Sequence, residues 1–200
     1  MSGLFSAVVL GDVGCKAWWL VTDEDAGPGR IVAGPFEDRP AASWAAGAYA
    51  DARPVYGISR ADGGLHRRQT PEDRAWLAHL DEELDRLPDG WDAGLADEDP
   101  LVTLVVEVAA ALSEAGLSLR DSSEDGEVGG VCLMPEPGMG GVVVTWGQPD
   151  RMSVEQVHGP ETTDMVQQVM NRALAEVLQL RGFVVDPFAG GSGHVVRPAD

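Results

Sequence analysis

The chain has 200 residues, of which 33 are acidic and 14 are basic, and its formal net charge at pH 7 is −19. Hydrophobic residues make up 44% of it, which is ordinary for a chain that folds around an apolar core, so disorder throughout is excluded. Up to residue 95 there are 16 acidic and 9 basic residues, and after it 17 and 5, so neither part has the basic excess typical of a general nucleic-acid-binding domain.

The first half, 4–68, is predicted to contain three strands, a helix and two strands. Runs of strand-forming residues are separated by acid- and glycine-rich turns, and Asp38 with Pro40 is typical of a helix start. Trp44, Ala45, Ala48 and Tyr49 share one face of that helix. The predicted ranges are strands at 4–10, 15–22 and 30–36, a helix at 40–51, and strands at 54–59 and 65–69.

Two helices are predicted on either side of residue 95, at 71–87 and 100–115. Thr70, Pro71 and Asp73 form a helix-start signature, because Thr and Asp three residues apart can cap each other's backbone N–H groups. Asp99 repeats the cap before the second helix, which is apolar nearly all round. The intervening residues 89–99 are rich in acids and glycine and are interpreted as a linker.

The second half, 117–198, repeats the order of three strands, a helix and two strands. Strands are predicted at 117–119, 130–134, 141–146, 183–185 and 194–196, and a further short strand at 153–158 would break the repeat. The helix is predicted at 162–181. Its apolar stripe contains Val166, Val169, Met170, Ala173, Leu174, Val177 and Leu178.

The sequence therefore predicts an α+β fold with two small halves. Each half has a mostly antiparallel sheet in βββ-α-ββ order packed with helices, and the domains are 1–88 and 100–200, joined by the linker 89–99. The glycine-rich hairpins ending at His66 and His194 are similar, and a structural duplication is one interpretation of the two halves. Chance similarity of two unrelated α+β halves is the alternative.

No motif in the chain identifies a family. The second half, with its helix, three strands, helix and two strands and its acidic balance, resembles in element order the small folds of secretion-chaperone-like proteins. This resemblance covers about half of the chain and implies a protein that binds other proteins.

A cluster of arginines is the first candidate site. Arg53, Arg60, Arg67 and Arg68 lie close together in the sequence around the first glycine-rich hairpin. If the hairpin brings them together, they can hold an anion or an acidic segment of a partner. The competing interpretation is that they pair with the many acids nearby, and Arg67 and Arg68 are expected on opposite faces of their strand.

His66, Ser192 and His194 are the residues that a pocket beside the hairpins could use. Ser192 and His194 can share one face of a strand, although a plain turn serine is the simpler interpretation. The sequence has no nucleophile elbow, phosphate-binding loop or paired metal ligands, and Cys15 and Cys132 have no CxxC neighbour. We therefore expect no cofactor and no metal, and the missing catalytic motifs favour a protein that is not an enzyme.

Trp91 in the linker is the candidate anchor for a partner, since tryptophan is enriched at the centres of protein interfaces. The leading hypothesis is a non-enzymatic protein-interaction protein, an adaptor or chaperone-like protein with an acidic surface. A small-molecule-binding protein or enzyme that uses the glycine-rich hairpins is the first alternative. An acidic mimic of nucleic acid is the second.

The expected partner is a protein, and a homodimer is one form of such an interaction. The first ten residues lack the basic start of a signal peptide, and the apolar run at 101–112 is too short to cross a bilayer. We therefore expect a cytoplasmic protein that does not bind membranes.

Overall fold

The computed structural model describes residues 15–22, 29–96, 98–122, 128–149 and 157–199. Within these ranges it contains two four-stranded sheets, and every pairing between their strands is antiparallel. Four helices accompany the sheets. The α+β class and the antiparallel sheets predicted from the sequence are therefore confirmed.

The first sheet has the strand order β2-β1-β3-β4. Asp38 caps the helix in this part of the chain by accepting a hydrogen bond from the Ala41 N–H at 2.7 Å. That helix ends before Gly47, earlier than predicted. The elements are β1 (Lys16–Thr22), β2 (Arg30–Phe36), α1 (Arg39–Ala46), β3 (Ala52–Ser59) and β4 (Leu65–Arg67). The strand predicted at 4–10 lies outside the described residues.

One face of the first sheet packs on α1 through Trp18, Leu20, Ala33 and Ala42. Trp44, predicted on the apolar face of this helix, is instead 88% exposed. The buried residue of α1 is Ala42, two positions earlier, because the short alanine side chain lets the helix lie close to the sheet.

The second sheet has the strand order β5-β6-β8-β7. Leu119 adds a parallel bridge to Val131 where the strand 117–119 was predicted. The further strand considered at 153–158 lies mostly outside the described residues. The elements are α2 (Pro71–Leu84), α3 (Pro100–Glu114), β5 (Gly130–Glu136), β6 (Gly141–Gly147), α4 (Pro160–Leu180), β7 (Val184–Pro187) and β8 (His194–Arg197).

The predicted helix caps are present. Thr70 Oγ1 accepts from the Asp73 N–H at 2.9 Å, and Asp73 Oδ2 accepts from the Thr70 N–H at 3.0 Å, so the two residues form a reciprocal cap for α2. Asp99 Oδ1 accepts from the Leu101 N–H at 2.9 Å and caps α3. Each cap satisfies N–H groups that the first turn of a helix leaves without an internal partner.

The core around the second sheet receives seven buried residues from α3, and their spacing places them on one face of the helix. Thr103 and Glu107 are exposed, so α3 is not buried nearly all round as the sequence predicted. Residues of α4 and of β5, β6 and β8 join the same core. Glu83 of α2 is buried, and its Oε2 accepts from the Leu119 N–H at 2.6 Å while Oε1 pairs with Arg86 at 3.4 Å. The hydrogen bond from Leu119 joins the segment before β5 to α2, whereas the ion pair with Arg86 is local to the end of that helix.

By its internal contacts the chain divides into two compact units, Met1–Trp76 and Leu77–Asp200, so the division falls inside α2. The predicted domains 1–88 and 100–200 with linker 89–99 stay a prediction. The duplication is not confirmed, because the first strand of its sheet is central in the first unit and at the edge in the second. Across the described residues, no helix combines the length and apolar character that crossing a membrane requires.

Candidate functional site

The second unit contains a cavity of about 420 Å³ beside β5. One wall is the segment Pro88–Asp89–Gly90–Trp91, and the other is formed by residues of β5 and β6. The lining on the strand side consists of Cys132, Leu133, Met134, Pro135, Val143 and Thr145. This combination gives a mostly apolar pocket with a half-buried tryptophan in its lining.

Consecutive turns hold Trp91 in place. The Trp91 N–H donates to the Pro88 carbonyl at 3.0 Å, and the Ala93 N–H donates to the Gly90 carbonyl at 2.8 Å. Gly90 has a φ of 70°, which glycine adopts without a steric penalty. Trp91 packs against the core of the second unit, so its ring has a defined position.

The pairing of β5 with β6 explains the strand wall. Cys132 is paired with Thr145 and Met134 with Val143, and residues paired across antiparallel strands project from the same face. Four of the lining residues therefore lie together on one face of the sheet, because side chains alternate between the two faces along each strand. Met134 is 55% exposed, which marks the open side of the cavity.

A second cavity of about 220 Å³ lies along the same strand and shares Pro88, Cys132 and Leu133 with the first. Arg120, Asp121 and Ser122 complete its lining together with Leu87 and Val131. The two cavities are therefore neighbours along one stretch of β5.

Two glycines make room for Arg120, Gly147 beside its side chain and Gly130 beside its backbone. A Cβ atom on Gly147 would lie 2.6 Å from Arg120 Cδ and 2.9 Å from Cys132 Sγ. A Cβ atom on Gly130, the partner of Gly147 in the strand pairing, would lie 2.7 Å from the backbone nitrogen of Arg120. Any larger residue at these positions would displace Arg120 from its place beside the thiol.

Burial raises the pKa of the Cys132 thiol, and the nearby Arg120 opposes this shift in part. The thiol is therefore protonated at neutral pH, and a protonated thiol is a weak nucleophile. Cys132 contributes polarizable packing surface to the cavity, so the arrangement suits binding better than covalent catalysis.

The predicted arginine cluster belongs to the first unit, and its arginines are not among the lining residues of these two cavities. Arg60 pairs with Asp62 at 2.7 Å. Arg53 is paired with Val21 and Arg67 with Gly57, so both project from the same face but are separated by four residues of β3, roughly 13 Å. Arg68 follows β4 and is exposed. The sheet thus spreads these residues, and their role in binding an anion or partner stays a prediction.

His66, Ser192 and His194 are also placed separately. His66 is exposed on β4 of the first unit. In the second unit the Ser192 carbonyl accepts a hydrogen bond from Asn171 Nδ2 at 2.7 Å, while His194 is paired with Val144. Burial lowers the pKa of His194, and no described residue hydrogen-bonds to its buried Nδ1 atom. Neither cavity beside β5 is lined by these three residues.

Of the predicted site residues, Trp91 lines the larger of the two cavities beside β5. The strand residues opposite it were missed by the sequence analysis. The sequence could have predicted that these strand residues lie together, because pairing the predicted strands 130–134 and 141–146 places alternate residues on one face. The approach of 88–91 to that face could not be found, because it depends on contacts between segments distant in the sequence.

Comparison with known proteins does not assign the chain to a family. In the part of the chain that the structure describes, no group of three or more His, Cys, Asp or Glu residues could hold a metal ion. The evidence for function therefore comes from the geometry of the cavity and its charged surroundings. No family model, no curated protein and no solved structure matches the chain.

Proposed function

We propose that the chain is a non-enzymatic protein-interaction protein of adaptor or chaperone-like type, acting in the cytoplasm. Its binding site is the cavity under Trp91, which we call the Trp91 cavity. The observation that carries the proposal is an apolar cavity whose lining contains both a half-buried tryptophan and an exposed methionine. Aromatic residues and methionine are enriched where proteins bind each other.

Tryptophan supports this proposal because it provides a large contact area with few rotatable bonds. The turns that fix Trp91 reduce the entropy lost when a partner binds. The raised pKa of Cys132 supports a binding role further, since the thiol is poorly suited to attack a substrate.

The decisive experiment isolates a partner from the native cell by cross-linking and then measures its binding to the purified chain. We expect Met134→Gln and Trp91→Ala each to weaken that binding by about tenfold or more, since both remove apolar contact at the cavity. Met139→Gln is the matched control, because Met139 is also exposed but does not line the cavity. The proposal fails if no protein partner binds the purified chain, or if both methionine variants bind equally.

A small-molecule-binding protein is the second candidate, and the volume of the Trp91 cavity favours it. Ligand pockets usually enclose roughly 300–1,000 Å³ and are mostly apolar. The two candidates differ in their response to small apolar compounds. A compound that raises the Tm of the wild-type chain but not of the Val143→Phe variant, whose larger side chain fills the cavity, would favour the second candidate.

A further inference from the structure

The Trp91 cavity has an acidic rim. Asp89 is part of its lining, and the exposed Asp92 follows Trp91 directly. Glu136 projects from the same face of β5 as Cys132 and Met134, because side chains alternate along a strand. Asp121 and Arg120 line the neighbouring cavity. Acidic residues therefore outnumber basic ones in the lining and directly next to it, in agreement with the net charge of −19.

The outer edge of β5 offers backbone groups beside the cavity. The Val131 N–H donates to the Ser118 carbonyl at 3.0 Å, and the Val131 carbonyl accepts from the Arg120 N–H at 2.9 Å. Since backbone groups alternate in direction along a strand, the N–H and C=O of Leu133 point to the same edge. Leu133 lines both cavities but is only 4% exposed, so main-chain hydrogen bonds at this edge can contribute little to the binding of an extended segment.

That edge is short. Pro135, the next residue in the same orientation, has no N–H to donate. Main-chain bonding at Leu133 can orient a ligand but supplies little of its affinity. Affinity must come from an apolar group in the cavity and from charges that complement the rim.

We propose that the Trp91 cavity binds an extended basic segment of a partner protein, with one large apolar side chain inserted under Trp91. Lysine or arginine residues on either side of that apolar residue contact Asp89, Asp92 and Glu136. This proposal rests on the function proposed above and specifies the chemistry of the partner. Burying one leucine- or phenylalanine-sized group favours binding by roughly ten- to one-hundredfold, and each exposed ion pair by about two- to fivefold.

The first test uses a defined probe, the capped peptide Arg-Lys-Ser-Phe-Ser-Lys-Arg with a fluorescent label, and follows its binding by anisotropy. Replacing its Phe by Ser should weaken binding at least tenfold, because the cavity is left empty. Replacing its four basic residues by Gln should also weaken binding about tenfold. Raising NaCl from about 50 mM to about 300 mM should weaken binding of the basic peptide but not binding of the neutral one, because salt screens exposed charges.

Matched variants locate the contact. Asp89→Asn with Glu136→Gln removes two charges at the rim, and we expect about tenfold weaker binding of the basic peptide. Glu161→Gln with Asp164→Asn removes two exposed charges from α4 and should leave binding within twofold. Both pairs change the net charge equally, so a difference between them reports position rather than overall charge.

Cys132 provides an independent readout within the cavity. In a Cys15→Ser background the basic peptide should slow alkylation of Cys132, whereas its Ser-substituted analogue should not.

The inference is overturned if the basic peptide does not bind, if the neutral peptide binds as tightly, or if both double variants behave alike. If one of these results is found while a natural partner still depends on Met134, the inference fails and the proposed function stands. If no natural partner is found, the proposed function fails as well.

Discussion

Asn171 of α4 joins two strands where their backbones separate. Its Oδ1 accepts from the Trp146 N–H at 2.7 Å, and its Nδ2 donates to the Ser192 carbonyl at 2.7 Å. β6 and β8 are paired from Val142 to Val144, and the same register would set Trp146 opposite Ser192. The Asn171 amide thus takes the place of the next backbone hydrogen bonds between β6 and β8. The Asn171 side chain is buried, with only 2% of the residue exposed.

The Asn171→Leu variant should lower the free energy of unfolding by about 2–4 kcal/mol, because it leaves a buried N–H and a carbonyl without partners. Arg172→Ala changes the adjacent, exposed residue and should cost no more than about 0.5 kcal/mol. Urea denaturation followed by circular dichroism measures both values. Equal stabilities of the two variants would contradict the bridging role.

At the scale of elements, the same residue explains why α4 is rotated from its predicted orientation. The sequence stripe included Val169, which is 65% exposed, and omitted Asn171 as polar. The buried residues of α4 are instead Asn171, Leu174, Ala175 and Leu178. Because Gln167 and Asn171 hydrogen-bond to β6, polar contacts as well as apolar ones decide which side of this helix faces the sheet.

In the first unit, a glycine within a strand decides how a neighbouring side chain packs. The fully buried Trp19 donates from Nε1 to the Gly57 carbonyl at 3.1 Å. Its ring lies against Gly34 of β2, where a Cβ atom would be 2.8 Å from Trp19 Cε3. The absence of a side chain at Gly34 therefore creates the space that the indole fills.

The Gly34→Ala variant should lower the stability of the first unit by about 2 kcal/mol, because the added methyl group meets Trp19 and Gly34 has a φ of 126°. Gly47→Ala is the control, since the nearest atom to a Cβ there is 3.6 Å away and φ is −59°. That variant should be neutral or up to about 1 kcal/mol more stable. Thermal unfolding monitored in the near-ultraviolet, where buried tryptophan contributes, distinguishes them. The explanation is wrong if Gly34→Ala is tolerated as well as Gly47→Ala.

At the scale of the whole molecule, two different domain boundaries concern α2, one predicted from the sequence and one from the contacts between residues. The predicted domain boundary follows this helix, whereas the contact-based division falls within it. Leu80 and Leu87 are buried in the core of the second unit, and Glu83 binds the Leu119 N–H. The later residues of α2 therefore stabilise the second unit, even though the sequence assigns them to the first.

Two fragments test this assignment. The fragment 69–200 retains the Thr70 cap and all of α2, and we expect it to unfold cooperatively. The fragment 89–200 lacks two buried leucines and Glu83, and should be at least about 3 kcal/mol less stable. Chemical denaturation of both measures the difference. If the shorter fragment is equally stable, the predicted boundary at residue 88 is the better one.

Local residue patterns predicted much of this fold. Thr70, Pro71 and Asp73 specify the start of α2, and alternating strand residues with glycine-rich turns specify β3 to β6, because caps, turns and side-chain periodicity act within a few residues. Helix ends were less well predicted. The residues after Leu84 form turns rather than a last helical segment, since Pro88 prevents the helix from continuing.

The sequence by itself determined the class of fold, the positions of the elements and the strongly acidic character of the chain, because each follows from composition or from neighbouring residues. Only the tertiary structure decided the strand orders, the burial of Glu83 and Asn171, and the meeting of Trp91 with β5 and β6. Each of these depends on contacts between distant segments, where close packing and the need to pair buried polar groups select one arrangement. The Trp91 cavity belongs to this second group, although the tryptophan itself was singled out by the sequence.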